Sequence, residues 1–217
     1  IPLVGIVDTG LMGHLESEKY LIAVSIASTF LTIIFWSFGF LRMGTVGLVS
    51  QTFGKSDYRE LVNIILRNIC IAFIIAFLII IFKPVLIKII FKIFAVSSET
   101  NSFIKDYISI RVFSAPAELA IYVLVGFFLG IQRTIISSFL IIILSLLNIC
   151  FSIYFVNVLG LNVKGVAFGT LLSAYITVLS FSFYTYFYII KRFKVIPRFA
   201  FKKLLNLKKI IKLLKKN

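Results

Sequence analysis

"LVNIILRNICIAFIIAFLIIIF", residues 61–82, decides the fold. The run is apolar almost throughout and long enough to cross a bilayer, which takes about 20 residues in a helix. Hydrocarbon offers no partner to bare backbone N–H and C=O groups, so a spanning segment is either a helix or part of a closed barrel. Barrel strands alternate apolar and polar positions, and this run does not. It therefore reads as a transmembrane helix, interrupted at Lys83-Pro84 before a second apolar stretch to Val96.

Working outward, the same signal recurs at Tyr20–Leu48, Tyr107–Ile131, Thr134–Val158 and Gly165–Ile190. A shorter run, Ile1–Leu15, precedes Glu16. It is too short to span, so the chain is expected to begin inside its first helix. The expected fold is an all-α membrane domain of six transmembrane helices over residues 1–190, the first truncated, followed by a basic tail at 191–217. The connections read as His14–Lys19, Val49–Glu60, Ser97–Asp106, Gln132-Arg133 and Gly160–Lys164, none large enough to fold separately.

Composition agrees. The 217 residues are 60% hydrophobic and 14% charged, with a mean hydropathy of +1.08; a soluble domain is about 45–50% apolar. The net charge of +15 raises the question of nucleic acid, but placement argues against such a partner: residues 191–217 hold 11 of the 23 Lys and Arg. Most others lie between or at the ends of apolar runs, where topogenic charges belong. Placing the tail in the cytoplasm puts Arg42, Lys55, Arg59, Arg67 and Arg133 on the same side. The opposite side receives Lys19, Lys83, Lys88, Lys92, Lys105, Arg111 and Lys164, and the tail tips the balance. Both ends of the chain are then cytoplasmic. In the tail, Leu204, Leu207, Ile210, Ile211 and Leu214 share one helical side and Lys202, Lys209, Lys212 and Lys216 the other. That pattern suits a helix lying among lipid headgroups.

Two carboxylates fall within spanning runs, Asp8 in the first and Glu118 in the fourth. An acid at the bilayer centre costs about 2.5–3.5 kcal/mol, so it usually faces a cavity and serves transport or proton relay. Burial also favours its protonated form. Glu118 follows Pro116, where a loosened helix offers polar partners. Asn148 and Ser152, four apart, share a helix face, and Thr170 comes from the next helix. With Asp8 they form a candidate hydrated pocket for a proton or Na⁺; helix–helix hydrogen bonding is the blander alternative. Cys70 and Cys150 read as buried small hydrophobes, and His14 as an interface residue. No catalytic triad, metal cluster or phosphate loop is present, so neither enzyme activity nor a cofactor beyond the coupling ion is expected.

Four stretches together resemble one family: "GIVDTGLMGHL" at 5–15, "FGFLRMGTVGLVSQTFGKSD" at 38–57, "RVFSAPAELAIYVLVGFFLGIQ" at 111–132 and "LNICFSIYFVNVLGLNVKGVAFGT" at 147–170. The sequence resembles the multidrug and toxic compound extrusion family, in its DNA-damage-inducible protein F-like branch. The positions Arg42, Gly44, Gln51, Gly54 and Asp57, with Pro116, carry the motif. The resemblance implies the amino-terminal lobe of a twelve-helix, two-lobe antiporter in the bacterial inner membrane, with a second six-helix half expected after Asn217. It implies export of cationic or amphipathic drug-like compounds in exchange for H⁺ or Na⁺; a lipid-linked oligosaccharide flippase of the same superfamily is the alternative. Asp8 occupies the family's helix 1 acid position, and Asn148 and Thr170 match a second group, so that Na⁺ held by Asp8, Asn148 and Thr170 is one reading. Ser152 stands where the family pattern has Asp. The loss of that charge favours a proton mechanism centred on Asp8.

Overall fold

The computed structural model describes Gly10 and residues 18–94 and 96–195. Among these residues the secondary structure is wholly helical. The helices are α1 (Glu18–Ser37), α2 (Phe40–Gly54), α3 (Tyr58–Ile81), α4 (Lys83–Ile93), α5 (Ser98–Arg111), α6 (Ala115–Gly130), α7 (Thr134–Ile153) and α8 (Asn162–Phe193). A 3₁₀ turn, Val112–Ser114, joins α5 to α6, and a π-helical turn, Tyr154–Val158, extends α7. Five stretches are long and apolar enough to cross a membrane: Glu18–Gly54, Tyr58–Ile81, Ser98–Gly130, Thr134–Val158 and Asn162–Phe193. The expected first helix, with Asp8 and His14, lies outside the described residues, as does the tail from residue 196 onward.

Several boundaries differ from the sequence reading. Tyr20–Leu48 is not one helix. Phe38 and Gly39 make a tight turn, with Gly39 N–H donating to Trp36 O at 2.8 Å, and a Cβ at Gly39 would come within 3.0 Å of that same oxygen. The stretch read as the connection Val49–Glu60 is mostly helix: α2 continues to Gly54, and only residues 55–57 turn the chain, with Ser56 at φ 56°. Asp57 then caps α3 by accepting from Glu60 N–H at 3.1 Å. Ser97–Asp106 is also helical, because Ser97 caps Thr100 N–H at 3.3 Å and Glu99 complements the first turn. Its polar composition gave no membrane-helix signal. The expected interruption at Lys83-Pro84 is present, with Pro84 in the first turn of α4, where its missing N–H costs nothing.

α6 is the hub. Almost every residue of it is buried, against α2, α3, α7 and α8. Lipid tails are as apolar as leucine, so helices in a bilayer associate through close packing rather than exclusion of water. Gly126 and Gly130, spaced by four, allow that approach. A Cβ on Gly126 would lie 2.7 Å from Arg42 O, and one on Gly130 would lie 2.7 Å from Val49 Cβ. Large apolar side chains such as Phe77, Ile135 and Phe183 point outward on α3, α7 and α8, which is the reverse of a water-soluble surface.

The α2–α6 contact predicts opposite outcomes for two glycines. Gly126→Ala forces backbone against backbone and is expected to destabilise the full-length protein in detergent by about 1–3 kcal/mol. Gly47 has open space at its Cβ position, so Gly47→Ala is expected to be neutral or stabilising, since Ala favours helix by about 0.5–1 kcal/mol. Equal effects in thermal unfolding would show that Gly126 is not the close-packing point.

Candidate functional site

Polar side chains buried between apolar helices need partners, and their partners define the site. Asn148 on α7 and Thr170 on α8 are both buried. Asn148 Nδ2 donates to Thr170 Oγ1 at 2.9 Å, and Thr170 Oγ1 donates to Val166 O at 3.1 Å. Ser152 lies one turn further along α7 and is fully buried. It fits there because Gly169 faces it: a Cβ on Gly169 would be 2.7 Å from Ser152 N and 2.8 Å from its Cα. The structure therefore brings together three of the residues singled out from sequence.

The cluster is chemically incomplete. Among the described residues, Asn148 Oδ1 and Ser152 Oγ have no hydrogen-bond partner. Leaving a buried polar atom unpaired costs about 1–3 kcal/mol. The amide oxygen accepts a hydrogen bond or coordinates a cation, and the serine hydroxyl does either or donates. None of these three side chains is ionisable. The π-helical turn starts two residues after Ser152; such turns interrupt regular bonding and frequently lie at functional sites.

Glu118 does not join this cluster. It sits in the first turn of α6, buried, and is ion-paired to Arg111. Ser114 Oγ accepts from the Arg111 guanidinium and donates to Glu118 Oε1 at 3.1 Å. The guanidinium also lies 5.5 Å from the Phe35 ring centroid. Arg111 is therefore no surface topogenic charge, as the sequence reading took it to be, and Arg67, buried and 3.5 Å from Glu60, is not one either. Helix register fixes the pair's depth. α5–α6 runs parallel to α8, with Lys164 Nζ 3.3 Å from Asp106, Tyr175 donating to Phe113 O at 3.0 Å and Phe128 against Tyr184. Arg111 is thus level with Thr170, on the neighbouring helix.

The motif positions build the α2–α3 corner. Arg42 offers its carbonyl to the face of Gly126, Gly44 and Gln51 lie within α2, Gly54 ends it, and Asp57 starts α3. Pro116 sits in the first turn of α6, just past the 3₁₀ break. Sequence reading missed a second buried polar contact, Asn68 Nδ2 donating to Thr45 Oγ1 at 2.8 Å. It also missed the Gly126–Gly130 pair, whose small-xxx-small spacing carries a signal. Thr177, buried on α8, likewise has no hydrogen-bond partner among the described residues.

The family model described as MatE matches residues 1–154. The chain belongs to the MatE family. This MatE chain is 33% identical over 179 residues to the "DNA damage-inducible protein F" of Escherichia coli (strain K12), covering 82% of this chain and 39% of that protein. Its fold matches an inward-facing multidrug resistance MATE family transporter of the MOP superfamily, with TM-score 0.86 and 19% identity over all of this chain and 48% of the other. It also matches a MATE structure in the bent conformation, with TM-score 0.80 and 21% identity over 98% of this chain and 46% of the other. The MatE chain thus spans less than half the length of each of these relatives.

Breaking the Arg111–Glu118 pair on one side leaves a buried charge uncompensated, a loss of about 3–5 kcal/mol. Glu118→Gln is expected to destabilise the folded protein by about that amount, and Arg111→Met with Glu118→Leu to recover most of it. Full stability of Glu118→Gln in thermal unfolding would show that the pair is not needed for folding.

Proposed function

We propose that this chain is the amino-terminal lobe of a secondary active exporter that expels cationic or amphipathic compounds in exchange for protons, by alternating access. The observation that carries the reading is the buried Asn148–Ser152–Thr170 cluster, with two unpartnered oxygens in an otherwise apolar α7–α8 interface. Asn68 also leaves its amide oxygen open, but here two open oxygens lie one turn apart on the same helix, where a transient occupant can meet both. Family membership supports transport, and the incomplete coverage of relatives leaves room for a second lobe.

Asp8 supplies the coupling acid in this proposal. Protonated, it is neutral and donates a hydrogen bond to an acceptor such as Asn148 Oδ1. Ionised, it carries an uncompensated charge in a low-dielectric setting, which favours repacking of its segment and a change in the lobe's affinity for substrate. The two lobes then rock about the site. Glu118 takes no part in this cycle, because it is already ion-paired to Arg111. In this proposal the basic segment 191–217 is cytoplasmic and serves as the interfacial linker to the second lobe. Lipid-linked oligosaccharide translocation is the alternative activity of the same architecture.

Asp8→Asn in the full-length protein is expected to abolish dye efflux driven by a pH gradient in inverted vesicles, while the protein still inserts and folds. Undiminished efflux would remove Asp8 from the mechanism. Ion choice is tested separately. Na⁺ prefers several hard oxygens with net negative charge, and among the described residues this cluster contributes no carboxylate. A Na⁺ gradient at fixed pH is expected to drive no efflux in the unmodified protein, and Ser152→Asp to introduce a Na⁺ response. Strong Na⁺ drive without the substitution would refute proton dominance.

A further inference from the structure

At the end of the bundle where α2, α6 and α8 finish and α7 begins, a cavity of about 190 Å³ opens between Phe53, Gln132, Arg133, Tyr188, Arg192 and Phe193. We propose that this cavity binds the phosphate of an anionic phospholipid from the adjoining leaflet. The assignment does not depend on which compound is transported.

Three observations support it. The first is charge. Arg133 and Arg192 are exposed and converge on one small cavity, and neither has an ion-pair partner among the described residues. The same end carries Lys55, Arg59, Lys191 and Lys194, also without such partners. Its carboxylates are engaged elsewhere, Asp57 in capping α3 and Glu60 with Arg67. At the opposite end the pattern differs: Lys19 pairs with Glu99 and Lys164 with Asp106. Two guanidinia facing one cavity repel each other until an anion sits between them, and the planar fork of arginine matches phosphate oxygens two at a time.

The second is the floor. Phe193 stacks on Tyr58 with ring centroids 4.7 Å apart and meets Phe53 at 6.2 Å and Tyr188 at 6.0 Å. An aromatic floor under a basic rim suits a molecule that is apolar below its phosphate, and aromatic rings favour the headgroup level of a bilayer. The third is rigidity. The α6–α7 turn that presents Arg133 is locked by Gln132 N–H to Leu129 O at 3.0 Å and Arg133 N–H to Phe128 O at 2.7 Å, with Gln132 held at φ 62°. The segment that follows α8 is itself rich in lysine, so it cannot serve as the counter-ion. Basic pockets between helix ends are a known form of anionic-lipid recognition.

The test uses the full-length protein in neutral detergent, with phosphatidylglycerol and phosphatidylcholine added in equal amounts and bound lipid read by native mass spectrometry. The expected result is retention of phosphatidylglycerol over phosphatidylcholine, weakened about tenfold by Arg133→Gln with Arg192→Gln, as expected for lost charge-assisted hydrogen bonds. Lys191→Gln with Lys194→Gln, which removes equal charge beside the cavity, is expected to retain the lipid. Arg192→Gln alone gives a smaller loss of the same kind and serves where the double variant does not fold. Three outcomes overturn the proposal: no preference between the lipids, equal loss in the lysine variant, or displacement of the lipid by millimolar inorganic phosphate, which would make this a soluble-phosphate site.

Discussion

Hydrocarbon cannot hydrogen-bond, and this molecule is arranged around that fact. Among the described residues the spanning segments are helical, so their backbone groups pair along the chain, and many polar side chains that enter the apolar layer are tied back. Thr170 donates to Val166 O, Thr185 to Phe181 O and Ser145 to Ile141 O, each along its own helix. Between helices, Asn68 reaches Thr45 and Asn148 reaches Thr170. The exceptions then stand out. Among the described residues, buried oxygens of Asn68, Asn101, Glu118, Asn148, Ser152 and Thr177 lack a partner, and those of Asn148 and Ser152 are the two that lie one turn apart on a single helix.

The two buried polar groups at one depth do different work. Arg111 and Glu118 form an ion pair bridged by Ser114, balanced in charge and seated where α5 breaks into α6. Its charges compensate each other in place, and changing either alone strands the other. The Asn148–Ser152–Thr170 group is neutral and incomplete. A neutral site with open oxygens can accept a hydrogen bond or a cation, which is what the proposed coupling role asks of it. Glycines set the distances for both regions: Gly169 admits Ser152 to the α7–α8 interface, and Gly126 seats α6 directly against the backbone of α2.

Much of this was legible in one dimension. The Leu61–Phe82 run and its four counterparts gave the membrane class and the number of crossings among the described residues. The grouping of Asn148, Ser152 and Thr170 followed from helical spacing plus a short connection between neighbouring helices. The bend at Gly39 and the helical extension over Ser98–Asp106 were not legible. Apolar periodicity cannot report a turn buried within a greasy run, nor a helix whose polar sequence lies beyond the hydrocarbon.

The sequence by itself determined that the chain lives in a bilayer, crosses it as helices and carries rare polar residues at depth, because those are matters of composition and run length. Only the tertiary structure decided which polar residues meet. Arg111 and Glu118 look alike in sequence as lone charges near a proline, yet they neutralise each other across the 3₁₀ turn that joins their helices. Arg133 and Arg192, far apart in the chain, converge on one cavity because α6 and α8 run parallel and end together. Pairing depends on helix register and on the close approach that small residues permit, and neither is written in any single segment.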